Sequence, residues 1–130
     1  MTAGNIDYVG RLMNECYLIE KGVRSAYTEV LTMVERDESD KEYNSKYLDE
    51  IKDVVNRNGL LYLIEEWERD PNDYYKDRKY YNMWVVKYPH QLVLVKKLPY
   101  IKSRYLREYL KGKILGYSDE SMEEYLSRNP

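Results

Sequence analysis

The sequence predicts a mainly α protein, a compact bundle of about five helices with a possible β-hairpin at about 80–97. Three observations carry this expectation. Apolar residues recur at helical spacing over most of the chain. Residues that start and stop helices punctuate that spacing. Residues 80–97 concentrate aromatic and β-branched side chains as strands do.

Asn5 suits a helix N-cap, and Asp7 suits the positive end of the dipole that follows. From there Val9, Leu12, Cys16, Ile19, Val23, Ala26, Val30 and Met33 keep an alternating three- and four-residue spacing. That is a heptad seam, so one long helix is expected, closing as a helix hairpin within the chain or as a dimer seam; the hairpin is favoured. Arg36–Glu42 is charged or polar throughout and reads as a solvated connection. A second helix is expected from about Asn44, with Tyr47, Leu48, Ile51, Val54 and Val55 on one face and Asn58-Gly59 as its stop. Leu60–Arg69 reads as a short third helix with Leu60, Leu61, Ile64 and Trp67 inward, ending at Asp70-Pro71. In the hairpin, Tyr80–Tyr88 and Gln91–Lys97 form the limbs and Pro89-His90 the turn, although either limb could be helical. Ser103 caps a helix bearing Leu106, Tyr109, Leu110, Ile114 and Leu115, which Gly116 closes, and Ser118 caps a last one.

A chain of 130 residues fits a single domain spanning 1–130. The lone Cys16 cannot make an internal disulfide, and Met1–Asn5 carries neither a basic segment nor an apolar core of the signal-peptide kind. The longest apolar runs fall far short of a membrane span. A cytoplasmic protein is the expectation. The 16 tyrosines, without a single phenylalanine, point to boundaries and interfaces, because each phenol needs a partner or water.

Residue chemistry gives an enzyme little to stand on. His90 lies in a predicted turn with no general-base partner nearby, and Cys16 sits on an apolar seam where a thiol is inert. One His and one Cys provide no zinc spacing, and the scattered glycines provide no phosphate loop. Asp37-Glu38-Ser39-Asp40 lacks the turn glycine of a calcium loop. Asp73 and Asp77 with Lys79 suggest a small metal-dependent hydrolase only distantly, since three residues between the acids would crowd one turn. No catalytic residue, cofactor or metal is expected.

Charge is segregated. Residues 1–72 hold 9 basic and 16 acidic side chains, residues 73–113 hold 11 and 3, and residues 114–130 hold 1 and 4. The middle segment interleaves its cations with tyrosine and tryptophan, the pairing that contacts phosphates and stacks on bases. Its fold-back onto the acidic helices is the plainer alternative. Tyr80, Tyr81, Trp84, Lys96, Lys97, Arg104 and Arg107 are the candidate binding residues.

Near the end, Leu115-Gly116-Tyr117-Ser118 is followed by Ser121, Met122 and Leu126. This segment resembles the helix-turn-helix of response-regulator and sigma-factor type DNA-binding domains, in its turn, N-cap and packing seam. The resemblance covers under a fifth of the chain and implies the fold of this corner. Asp119, Glu120, Glu123 and Glu124 depart from it, because acids on the recognition helix repel phosphates. The expected function is non-enzymatic binding to a protein or nucleoprotein partner, as monomer or homodimer and without membrane contact. In style it is similar to accessory or inhibitor factors of phages and mobile elements. A nucleic-acid-binding regulator is the alternative.

Overall fold

The computed structural model describes residues 3–67, 71–74 and 76–128, with side chains from Tyr8 onward. Among these residues lie five α-helices and a three-stranded antiparallel sheet: α1 (Ala3–Glu20), β1 (Ala26–Val34), α2 (Glu38–Arg57), β2 (Leu61–Glu66), β3 (Arg78–Val86), α3 (Pro89–Lys97), α4 (Arg104–Ile114) and α5 (Asp119–Arg128). A 3₁₀ turn, Leu98–Tyr100, joins α3 to α4. The protein is helix-dominant but mixed α/β. No helix among the described residues is long and apolar enough to cross a membrane.

The heptad seam does not form one helix. Gly22 ends α1 at a φ of 76°, a left-handed conformation that only glycine adopts without strain. The Val23 N–H reaches Leu18 O at 2.9 Å and the Gly22 N–H reaches Ile19 O at 3.1 Å, which satisfies the last carbonyls. Beyond it, Thr28, Val30, Thr32 and Val34 alternate with Tyr27, Leu31 and Met33. β-Branched residues at every second position favour a strand, so a period of two overrides the coincident period of 3.5. Asn5 lies within α1 rather than capping it, and its side chain is outside the described part.

Two further expectations are corrected. Leu60–Arg69 is not a helix, and β2 takes its place; its predicted end at Arg69 and Asp70 lies outside the described residues. As a strand, Leu61 and Leu63 serve one face while Tyr62 and Ile64 serve the other. The 80–97 hairpin does not form either. Its first limb is the central strand β3, paired with β1 (Leu31 opposite Tyr81) and β2 (Leu63 opposite Trp84) in the order β1-β3-β2. Its second limb is α3. Pro89 stands at the first helical position, and the Gln91 carboxamide oxygen accepts from the N–H groups of Lys87 and Tyr88 at 3.1 and 2.9 Å.

The sheet is packed on both faces. Leu12, Cys16 and Ile19 of α1 and Ile51, Val54 and Val55 of α2 meet Leu31, Met33, Met83 and Val85 on one side. On the other, Ala26, Trp84 and Val86 meet Val95, Leu98 and Ile114. Alternation along β3 sends Met83 and Val85 one way and Trp84 and Val86 the other, as a strand buried on both faces requires.

Candidate functional site

The predicted binding residues separate into two groups. Tyr80, Tyr81 and Trp84 lie on β3, whereas Lys96 and Lys97 end α3 and Arg104 and Arg107 lie on α4. Trp84 is 3% exposed and packs in the core beside Val86 and Val95, so it is not a surface anchor. Tyr81 packs against the α1–α2 side, where burial raises its phenol pKa, while Tyr80, the next residue, faces the other side of the strand. Both are half-buried. The start of β3 is also neutralised. The Lys79 ammonium lies 3.3 Å from Glu35 and 3.9 Å from Glu66, and the Glu35 hydrogen bond holds it above its usual pKa. That engagement takes Lys79 away from the Asp73/Asp77 arrangement.

The second group gathers around the 3₁₀ turn. Buried Leu98 anchors that turn in the core, and Pro99 fixes the backbone beside it. The Arg107 guanidinium donates to Ile101 O at 3.0 Å, strapping the connection to α4. Ser103 accepts from the Leu106 N–H at 3.2 Å and starts α4. Lys96, Lys97, Lys102 and Arg104 are thereby held on either side of one corner, all exposed. Tyr100 is 85% exposed and Tyr105 is 63% exposed, so the corner carries two open aromatic faces. These tyrosines are stronger contact candidates than Tyr80, Tyr81 or Trp84. Pro99 beside Tyr100 and the cap Ser103 before Tyr105 were the local signals for them. Lys96 and Lys97 also sit at the negative end of the α3 dipole, which eases the crowding of charge there.

The engagement of its cations distinguishes this corner from the N-terminal half of the described residues. Toward the N-terminus, Arg11, Arg24, Arg36, Lys41, Lys46 and Arg57 each pair with a carboxylate. Lys21 and Lys52 lie over the rings of Tyr17 and Tyr62. At the corner, no described residue pairs with Lys96, Lys97, Lys102 or Arg104, nor with Lys111 further along α4. These cations do not fold back onto the acidic helices. Beside them a cavity of ≈ 380 Å³ lies between α3 and α4, lined by Leu94, Leu98, Ile101 and Leu110 with Lys97 and Lys113.

The α4–α5 corner has the turn that its sequence implies. Gly116 takes a φ of 93°, the Tyr117 N–H donates to Gly112 O at 2.9 Å, and the Ser118 hydroxyl accepts from the Ser121 N–H at 3.1 Å. Gly112 lets α5 approach, since a Cβ there would lie 2.0 Å from the Met122 sulfur. Asp119 is turned back onto α4, 2.7 Å from the Lys113 ammonium and 3.0 Å from the Tyr109 hydroxyl. Those two hydrogen bonds hold its carboxyl below the usual carboxylate pKa. Glu120, Glu123 and Glu124 remain exposed on α5.

Elsewhere, Cys16 is buried and its thiol pKa is pushed up to about 11 by desolvation. His90 is exposed and stacks on Tyr88, ring centres 5.5 Å apart. No cluster of three potential metal ligands occurs among the described residues. No protein-family model, curated protein or solved structure matches the chain.

Proposed function

We propose that the chain is a non-enzymatic binding protein that docks an anionic face of a protein or nucleoprotein partner through the corner at residues 96–105. The observation that supports this reading is the set of uncompensated cations, Lys96, Lys97, Lys102 and Arg104, beside exposed Tyr100 and Tyr105. Like charges held together without counter-charges repel, and an anionic partner relieves that repulsion while steering itself in. The tyrosines add contact area at low entropic cost, and Arg104 adds a planar donor fork. An accessory or inhibitor role fits a protein that acts by occupying its partner.

The same cation–aromatic pairing favours a second reading, direct binding of a nucleic-acid strand. One experiment addresses both. Labelled single-stranded DNA, duplex DNA and RNA are titrated with wild type and with Lys97→Glu/Arg104→Glu at two salt concentrations, and both proteins are used as bait in cell lysate. Flat nucleic-acid titrations with a protein captured by wild type and lost by the double variant support the first reading. Tight binding that weakens steeply with salt moves the assignment to nucleic acid; on duplex, the double variant should then lower the log–log slope by about 2. Binding of any partner that the folded double variant retains unchanged overturns the corner as the site.

A further inference from the structure

We propose that the outer edge of β1 is a self-association surface, pairing antiparallel with the same edge of a second copy of this chain on a twofold axis through Val30. Hydrogen bonding fixes which backbone groups are free. The Glu35 N–H donates to Asp77 O, and the Trp67 N–H donates to Tyr80 O. In an antiparallel ladder each residue directs both its N–H and C=O to the same side, and the side alternates. With Leu31 opposite Tyr81 and Met33 opposite Lys79, the odd-numbered residues of β1 bond to β3. Thr28, Val30 and Thr32 therefore direct their backbone groups outward, where no strand pairs with them among the described residues. The Val34 carbonyl, next in that row, is already taken by the Asn44 amide at 2.8 Å.

The two edges of the sheet differ. β2 is shorter than β1 and ends in Glu65-Glu66. Monomeric sheet proteins blunt their edges with such devices, or with proline or lysine. β1 has nine residues, no proline, no lysine and one charge, Glu29, which lies 3.6 Å from Arg11. Val30 at its middle is 40% exposed.

The sequence of β1 also selects the register. An axis at Glu29 would set two carboxylates directly opposite each other, which is destabilising. An axis at Leu31 would place Thr28 opposite Val34, whose carbonyl Asn44 occupies. An axis at Val30 sets Val30 against Val30, Thr28 against Thr32 and Glu29 against Leu31, and joins the free groups of both copies in about six backbone hydrogen bonds. This rotation is normal to the sheet, so the α3–α4 layers of both copies lie on one face of a continuous six-stranded sheet.

Sedimentation equilibrium of the full chain tests this. The expected mass is twice the 15.8 kDa of one chain. Val30→Lys should weaken the dimer at least about tenfold with an unchanged far-UV spectrum, because it opposes two ammonium groups on the axis. Val30→Cys should form an intermolecular disulfide on mild oxidation, since paired Cα atoms about 5.5 Å apart suit the bond. Thr28→Cys, with its own copy out of register, should not. A single-chain mass for wild type at high concentration overturns the proposal, and so does a dimer that folded Val30→Lys leaves intact. If Val30→Lys fails to fold, the pair of cysteine variants decides: cross-linking at Val30 alone supports the register, and any other pattern refutes it.

Discussion

Replacing Trp84 by alanine should cost far more stability than any change at the proposed binding corner. The indole is 3% exposed on the central strand, between the sheet and the α3–α4 layer. A buried tryptophan removes about 150–250 Å² from water. At about 25 cal/mol per Å² that is about 4–6 kcal/mol, an upper figure because an unfolded chain already buries part of this surface. The cavity left behind adds a cost, and truncations of this kind fall at about 3–5 kcal/mol. A loss of about 4 kcal/mol is therefore expected, against a total stability of about 5–15 kcal/mol for ordinary domains. Urea unfolding followed by far-UV circular dichroism measures it. Trp67→Ala, at a residue 50% exposed, is the internal comparison and should cost below about 1 kcal/mol. If Trp84→Ala stays within about 1 kcal/mol of wild type, with an unchanged urea slope, Trp84 is not enclosed and the packing of α3 and α4 on the sheet is wrong.

Glycine substitutions should act in opposite directions at two positions. Gly116→Ala forces a side chain into a φ of 93° with its Cβ 2.7 Å from the Ser25 hydroxyl, and should destabilise by about 1–2 kcal/mol. Gly10→Ala adds a methyl with nothing within 4 Å inside α1, and should stabilise by about 0.5–1 kcal/mol; thermal unfolding of both distinguishes them. Alkaline pH should unfold the protein cooperatively. Burial raises the pKa of Cys16 from 9.0 to about 11 and of Tyr47 from 10.0 to about 12, and raises that of Tyr8 as well. The neutral forms are favoured in the folded state, so their contribution is complete below pH 9 and falls as pH rises toward 12. Chemical denaturation at stepped pH reads this, and a flat profile between pH 9 and 11 would refute the burial of Cys16.

Much of the helical architecture was legible locally, because caps and stops act within a few residues. Asn58-Gly59, Ser103, Gly116 and Ser118 marked helix ends that the structure retains. Leu12, Cys16 and Ile19 were legible as a buried face for the same reason. The cationic stretch could be read as a composition but not as a surface. Whether Lys96 and Arg104 find counter-charges depends on where the acidic helices lie, and nothing within the segment records that.

The errors share one physical cause. Val23–Met33, Leu60–Ile64 and Gln91–Val95 are segments whose apolar patterns suit more than one backbone geometry, so partners elsewhere in the chain decide between them. Ala26–Val34 became a strand because β3, some fifty residues later, provides its ladder. Leu61–Glu66 did so on the other side of the same strand. Gln91–Lys97 became a helix because β1 and β2 already occupied both sides of β3, leaving its face, not its edge, to be covered. The same contest moved Trp84 inside. By itself the sequence determined several helix ends, the segregation of charge and the poverty of reactive groups, which are local or compositional properties. Only the tertiary structure decided which apolar runs pair as strands, which tyrosines stay open and which cations remain without partners, because each of these is set by residues distant in the chain.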